Sequence, residues 1–150
     1  MAHDEVSIDQ RPLPVATDVT EAFYAFLRQG ILSAQQCGHC GVWQLPLRDC
    51  GHFCDECGKA ALVWTPVSGR GLVYSYIILH QRYHPAFGSE LPYNVAIVQL
   101  KEGPRLTSRL DMPVSQIAVG MQVEATLKEA DDGLKLPYFH EVARPGEDNL

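Results

Sequence analysis

The pattern of apolar and polar positions divides the chain into a helix, a cysteine-bearing segment and a series of strands. Val19, Ala22, Phe23, Phe26 and Leu27 recur at helical spacing and share one face. Asp18 and Glu21 have capping-box spacing ahead of them, and Gly30 is a natural stop. Residues 31–36 read as a short strand leading into Cys37. Strand-like runs then cover 61–67, 71–81, 93–100, 105–110, 121–128 and 134–140. In 71–81, apolar residues occupy both parities, which predicts burial on much of both faces. Met121, Val123, Ala125 and Leu127 alternate with Gln122, Glu124, Thr126 and Lys128, so that strand has one wet face. Asp132-Gly133 predicts a hairpin turn into 134–140. Residues 111–120 show the weakest pattern, a short turn or helix before Gly120. Five or so antiparallel strands behind a cysteine segment predict a small closed barrel.

The cysteines carry the strongest chemical signal. Cys37-Gly38-His39-Cys40-Gly41 and Cys54-Asp55-Glu56-Cys57-Gly58 are two CxxC-Gly knuckles, separated by thirteen residues. Each turns tightly enough to aim two sulfurs at one ion, and the glycine lets backbone amides approach them. Four thiolates suit tetrahedral Zn2+ and leave no open position, so the metal is expected to be structural. Iron in the same geometry would instead make the chain a one-electron carrier. Cys50 is the alternative to Cys54, but its six-residue arm to Cys57 is the poorer spacing. The expected ligands are therefore Cys37, Cys40, Cys54 and Cys57.

Composition narrows the function class. The 150 residues carry a net charge of −6, unevenly spread. Residues 69–110 hold Arg70, Arg82, Lys101, Arg105 and Arg109 against only Glu90 and Glu102, while both flanks are acidic. Such a balance makes a poor general nucleic-acid binder, although the basic middle suits one small polyanion. The ribbon itself repels phosphates, since four thiolates on a divalent ion add to Asp49, Asp55 and Glu56. A zinc-ribbon and barrel protein that binds nucleic acid is accordingly the alternative reading. No apolar run approaches the ~20 residues of a membrane helix. An acidic start and CxxC pairs predict a protein of the reducing cytoplasm rather than a secreted disulfide scaffold.

Taken in order, several stretches resemble a known family. They are Phe23-Tyr24-Ala25-Phe26-Leu27, the two knuckles, and Val67-Ser68-Gly69-Arg70-Gly71-Leu72-Val73-Tyr74-Ser75-Tyr76. Pro92–Leu100, Gly103-Pro104-Arg105-Leu106-Thr107-Ser108-Arg109 and Val119–Val123 complete the set. The chain resembles, over about 18–142, acyl-CoA-associated proteins that join a rubredoxin-like zinc ribbon to an OB-fold and accompany thiolase-like enzymes. It departs from them in a longer span between the knuckles, Leu45 to Cys50. The resemblance implies a mainly β fold in five parts: a flexible arm (1–17), an association helix (18–30), a zinc ribbon (31–66), an OB-fold barrel (67–142) and a tail (143–150). It also implies a non-catalytic accessory subunit of a thiolase-, aldolase- or hydratase-like enzyme acting on acyl-CoA thioesters. No Ser/His/Asp set, phosphate loop or carboxylate pair argues otherwise.

Two groups of contact residues follow. Arg70, Arg105 and Arg109 are expected to contact coenzyme A phosphates if the barrel brings them to one groove. Arg82, Tyr83, His84 and Phe87, in the long loop 80–92, are candidates for contact with partner or ligand. Homodimerisation through the helix or barrel is a further expectation.

Overall fold

The computed structural model describes residues 11–46, 51–130 and 133–143. One helix, α1 (Glu21–Arg28), precedes two sheets. Strands β1 (Ser33–Cys37), β2 (Trp43–Gln44) and β3 (Leu62–Pro66) form an antiparallel ribbon in the order β2-β1-β3. Strands β4 (Arg70–Leu79), β5 (Tyr93–Leu100), β6 (Arg105–Leu110), β7 (Gln122–Glu129) and β8 (Lys135–Glu141) close a barrel in the order β4-β5-β6-β8-β7. Only β6 and β8 run parallel. Five strands closed in this order, with that single parallel seam, make an OB-type barrel.

The helix starts later than its capping-box spacing predicts. Its N-cap is Thr20, without a side-chain cap bond, and Asp18 Oδ1 accepts from the adjacent Val19 amide at 3.0 Å. Thr17 and Thr20 tie their own turn together through their hydroxyls, 3.1 Å apart, and this turn displaces the start to Glu21. The far end follows expectation. The Gly30 amide donates to Leu27 O and the Ile31 amide to Phe26 O, both at 2.9 Å, the pair of bonds of a Schellman cap. Leu27 is fully buried in the barrel core with Val73, Ala96, Val98, Leu100, Val123 and Phe139. Phe23 stacks at 5.8 Å on Trp64 of β3. One helix face thus joins ribbon to barrel.

Strand parity sets the core. On β5, Asn94, Ala96, Val98 and Leu100 face inward. Buried Asn94 bonds both backbone groups of Leu110, donating to its carbonyl at 2.9 Å and accepting from its amide at 2.7 Å. It thereby pairs β5 to the end of β6 beyond the regular ladder. The β7 alternation holds, with Val123 buried and Gln122 and Thr126 exposed. β4 does not behave as expected: Leu72, Tyr74 and Ile77 are 45%, 47% and 59% exposed. A register shift between Val73 and Ser75 makes Tyr74 the extra residue of a bulge, and no other element covers that outer face among the described residues. The turn predicted at Asp132-Gly133 falls partly outside the described residues; Gly133 has φ +71°.

Gly71 lies where β4 crosses β5 most closely. A Cβ there would meet Gln99 O at 2.5 Å and Val98 Cγ1 at 2.9 Å. Gly71→Ala is therefore expected to cost about 1–3 kcal/mol, since backbone must move to admit the methyl. Urea unfolding read by tryptophan fluorescence measures this; an unchanged midpoint would mean that the strands can separate freely.

Candidate metal centre

The two knuckles are built alike. Cys37 N donates to Val42 O and Cys54 N to Lys59 O, each at 2.9 Å. Gly41 N donates to Cys37 O and Gly58 N to Cys54 O, again at 2.9 Å. Both glycines have positive φ, +77° and +72°, which a Cβ disfavours and which closes the turn tightly. At Cys37 the sulfur-facing amides are those of His39 and Cys40, at 3.4 and 3.5 Å from its Sγ.

These turns bring Cys37, Cys40, Cys54 and Cys57 together, with all four Sγ atoms within 4.8 Å of one another. Cys37 and Cys57 Sγ are 3.7 Å apart, and Cys40 and Cys54 Sγ 3.5 Å. A tetrahedron of metal–sulfur bonds near 2.3 Å has edges of about 3.8 Å, so the set can hold a metal ion. Cys50 lies outside the described residues. The thiols also behave as a crowded group. The Cys40 amide chiefly draws Cys37 down to about 6, against burial. The Val42 amide lowers Cys40, but burial and the neighbouring sulfurs outweigh it and push it up to about 12. Cys57 is raised in the same way despite the Lys59 amide. The Cys37 proton leaves easily while those of Cys40 and Cys57 are held, as expected of like charges that a cation would neutralise.

Sequence reasoning missed two buried glutamines behind this cluster. Gln35 of β1 donates through Nε2 to Gly51 O at 2.8 Å. Gln44 of β2 donates to Phe53 O at 3.3 Å and accepts from the Asp55 amide at 2.9 Å. Phe53 and Asp55 flank Cys54, so Gln44 fixes the backbone on both sides of that cysteine. Gln44 Nε2 also reaches Gln35 Oε1 at 3.5 Å. The only sequence signal was two amides within a segment short of apolar residues.

The arginines meet three different neighbours. Arg70 lies 3.9 Å from Glu124, and Arg105 lies 3.6 Å over the Tyr74 ring. Arg109 bonds Glu90 at 2.6 Å and lies 4.7 Å over Tyr93. Of the three, only Arg109 lines a cleft of about 910 Å³, together with Arg11, Phe87, Asp111, Lys128 and Tyr138. The loop 80–92 folds on itself. Residues Pro85–Glu90 make 3-10 turns capped by His84, whose Nδ1 accepts from Ala86 N at 3.2 Å. Phe87 packs between His84 and Tyr93, and the Arg82 chain lies against Gly88. Tyr83 is exposed. Glu90 is the hub: it pairs with Arg109 and also with Arg11, whose guanidinium lies over Phe87. Burial opposes its ionisation, but the Arg109 and Arg11 charges outweigh this and hold its carboxyl below the usual value.

A family model described as the ChsH2 C-terminal OB-fold domain matches residues 64–128. A DUF35 domain-containing scaffold protein of Methanocaldococcus jannaschii is 33% identical over 105 residues, 66% of this chain and 72% of that one. The chain belongs to the DUF35 scaffold proteins. A chain of the solved Ltp2-ChsH2(DUF35) aldolase superposes with a TM-score of 0.75 at 35% identity, covering 86% of this DUF35 protein and 98% of that chain. A probable enoyl-CoA hydratase alpha subunit of Thermomonospora curvata is 37% identical over 130 residues, 86% of this chain but 39% of that protein. The DUF35 chain therefore spans well under half of that relative. The family resemblance read from the sequence is borne out.

Two outcomes are expected. Gln44→Ala should lower metal affinity about 10- to 100-fold by loosening Cys54, measured by competition with a chromogenic chelator; wild-type affinity would show that the knuckle holds its shape unaided. For Glu90, a carboxyl lowered by folding stabilises the fold above its unfolded value and loses that contribution as pH falls. Between about pH 5 and pH 3 the wild type should therefore lose more stability than Glu90→Gln, read as melting temperature against pH. Parallel curves would mean that the ion pairs add nothing.

Proposed function

We propose that this protein is a non-catalytic accessory subunit of a thiolase-, aldolase- or hydratase-like enzyme that acts on acyl-CoA thioesters, and that Cys37, Cys40, Cys54 and Cys57 hold a structural Zn2+. One observation carries the first part: the described ribbon-and-barrel architecture matches nearly the whole DUF35 chain of an aldolase at 35% identity. The hydratase alpha subunit of Thermomonospora curvata supports the same enzyme class. Zinc is favoured by the donor set. Four sulfurs at tetrahedral spacing satisfy a borderline-soft ion completely, leaving no position for substrate or water. Such a metal organises the ribbon and takes no part in the partner's chemistry. Free thiols of this kind suit the reducing cytoplasm, and no helix among the described residues is long and apolar enough to cross a membrane. Within this reading Arg109, at the cleft beside Phe87 and Tyr138, is the best placed of the three arginines to meet a coenzyme A phosphate.

Purification of the full chain from its native host tests the proposal. A thiolase-, aldolase- or hydratase-like enzyme should co-elute in fixed stoichiometry, with about one zinc per chain by elemental analysis. A chain that elutes alone, binds single-stranded nucleic acid in low salt or carries redox-active iron would overturn it.

A further inference from the structure

The outer face of β4–β5–β6 is apolar, cationic and uncovered. Leu72, Tyr74 and Ile77 project from β4 and are about half exposed. The register places Val95 of β5 beside Ile77, and Ile97 beside Ser75. Both point away from the core, alternating with buried Asn94, Ala96 and Val98. Gln99 links Leu72 on one side to Arg105 of β6 on the other. The three strands together contain three arginines and no carboxylate, in a chain of net charge −6. β7 and β8, around the same barrel, carry Glu124, Glu129 and Glu141. These strands thus carry no acid of their own; Glu124 and Glu90 reach Arg70 and Arg109 from other elements, and Arg105 has no such partner among the described residues.

Arg105 and Tyr74 give the face its centre. Tyr74 is the extra residue of the β-bulge, and the Arg105 guanidinium lies over its ring, 3.6 Å from the centroid. Arg105 has no carboxylate partner among the described residues, so its guanidinium is available to a bidentate acid. A stacked Tyr–Arg pair amid exposed aliphatic side chains has the composition of a protein–protein hot spot. Bare apolar surface of this kind is disfavoured on a protein that stays alone.

We infer that this face docks the catalytic enzyme subunit, which meets it with an apolar patch carrying a carboxylate for Arg105. The inference rests on the accessory-subunit reading and names its surface. Charge complementarity selects the occupant. An isologous pair of copies would bury two Arg105 charges in one interface with no carboxylate from these strands to meet them. Single-stranded nucleic acid would use Tyr74 and Arg105, but Leu72, Ile77, Val95 and Ile97 offer it nothing to stack on, and the net charge opposes it.

The test uses the full chain and the acyl-CoA enzyme that co-purifies with it. Ile77→Ser and Arg105→Glu should each weaken binding at least tenfold in titration calorimetry, while Thr126→Glu on β7 should leave it unchanged. Thermal melts of the three variants check the fold, and Tyr74→Ser replaces any that melts early. Wild-type affinity in both face variants would overturn the surface assignment and leave the accessory reading standing. Absence of any acyl-CoA enzyme would overturn both. A dimer of the chain alone, or oligonucleotide binding, that Arg105→Glu abolishes would assign the face to another occupant and likewise overturn the inference.

Discussion

The convergence of four sulfurs is the constraint on which the first third of the molecule depends. The ribbon has little else to hold it. Its buried apolar side chains are few, chiefly Leu32 and Ala34, and two of its buried residues are the cysteines Cys37 and Cys54 themselves. A segment so short of core needs a cross-link to pay its ordering entropy, and a metal between two knuckles supplies one without a disulfide. The amides of Gln35 and Gln44 complete the arrangement. Both side chains are buried, and backbone groups around the second knuckle satisfy them, so polar burial here is structural.

The barrel solves a different problem, and α1 joins the two solutions. Closure through the parallel β6–β8 seam removes free sheet edges, and the inward parity of β4, β5 and β7 fills the interior. Leu27 enters that interior from the helix while Phe23 touches Trp64 of the ribbon. A change in the ribbon can therefore reach the barrel through one helical face. The Glu90 cluster fastens the other approach, tying residue 11 to the loop 85–90 and to β6.

How much of this was legible depended on how local the cause was. The strand-like runs 93–100 and 105–110 coincide with β5 and β6 because a short run bounded by turn residues is a local signal. The paired CxxC spacing located the cluster because a knuckle's shape is set within five residues. The start of α1 was misplaced because Thr17 and Thr20 compete for the turn that Asp18 would have capped. β2 has two residues, too few for any period, and its role emerges only when Gln44 meets the second knuckle. Arg70, Arg105 and Arg109 share a charge but not a neighbour, and which strand faces which is information no single segment holds.

The failed expectation for β4 has the most consequence. Its sequence reads as a strand buried on both faces, and its inner face is buried, by Val73 with Tyr76 and Ile78 against the core. The outer face has the same composition and no cover. Leu72, Tyr74 and Ile77 stay about half exposed when the chain folds alone, and that remaining apolar area costs solubility. The docking inferred above would complete the burial that the sequence encodes. The same logic explains the absence of acids on β4–β6. A carboxylate on this face would be harmless in a monomer but costly once desolvated against a partner, whereas Arg105, stacked on Tyr74, already has its flat side covered. On the docking inferred above, sequence and structure differ at β4 because the strand is written for a complex, and the chain alone shows the surface that the complex would bury.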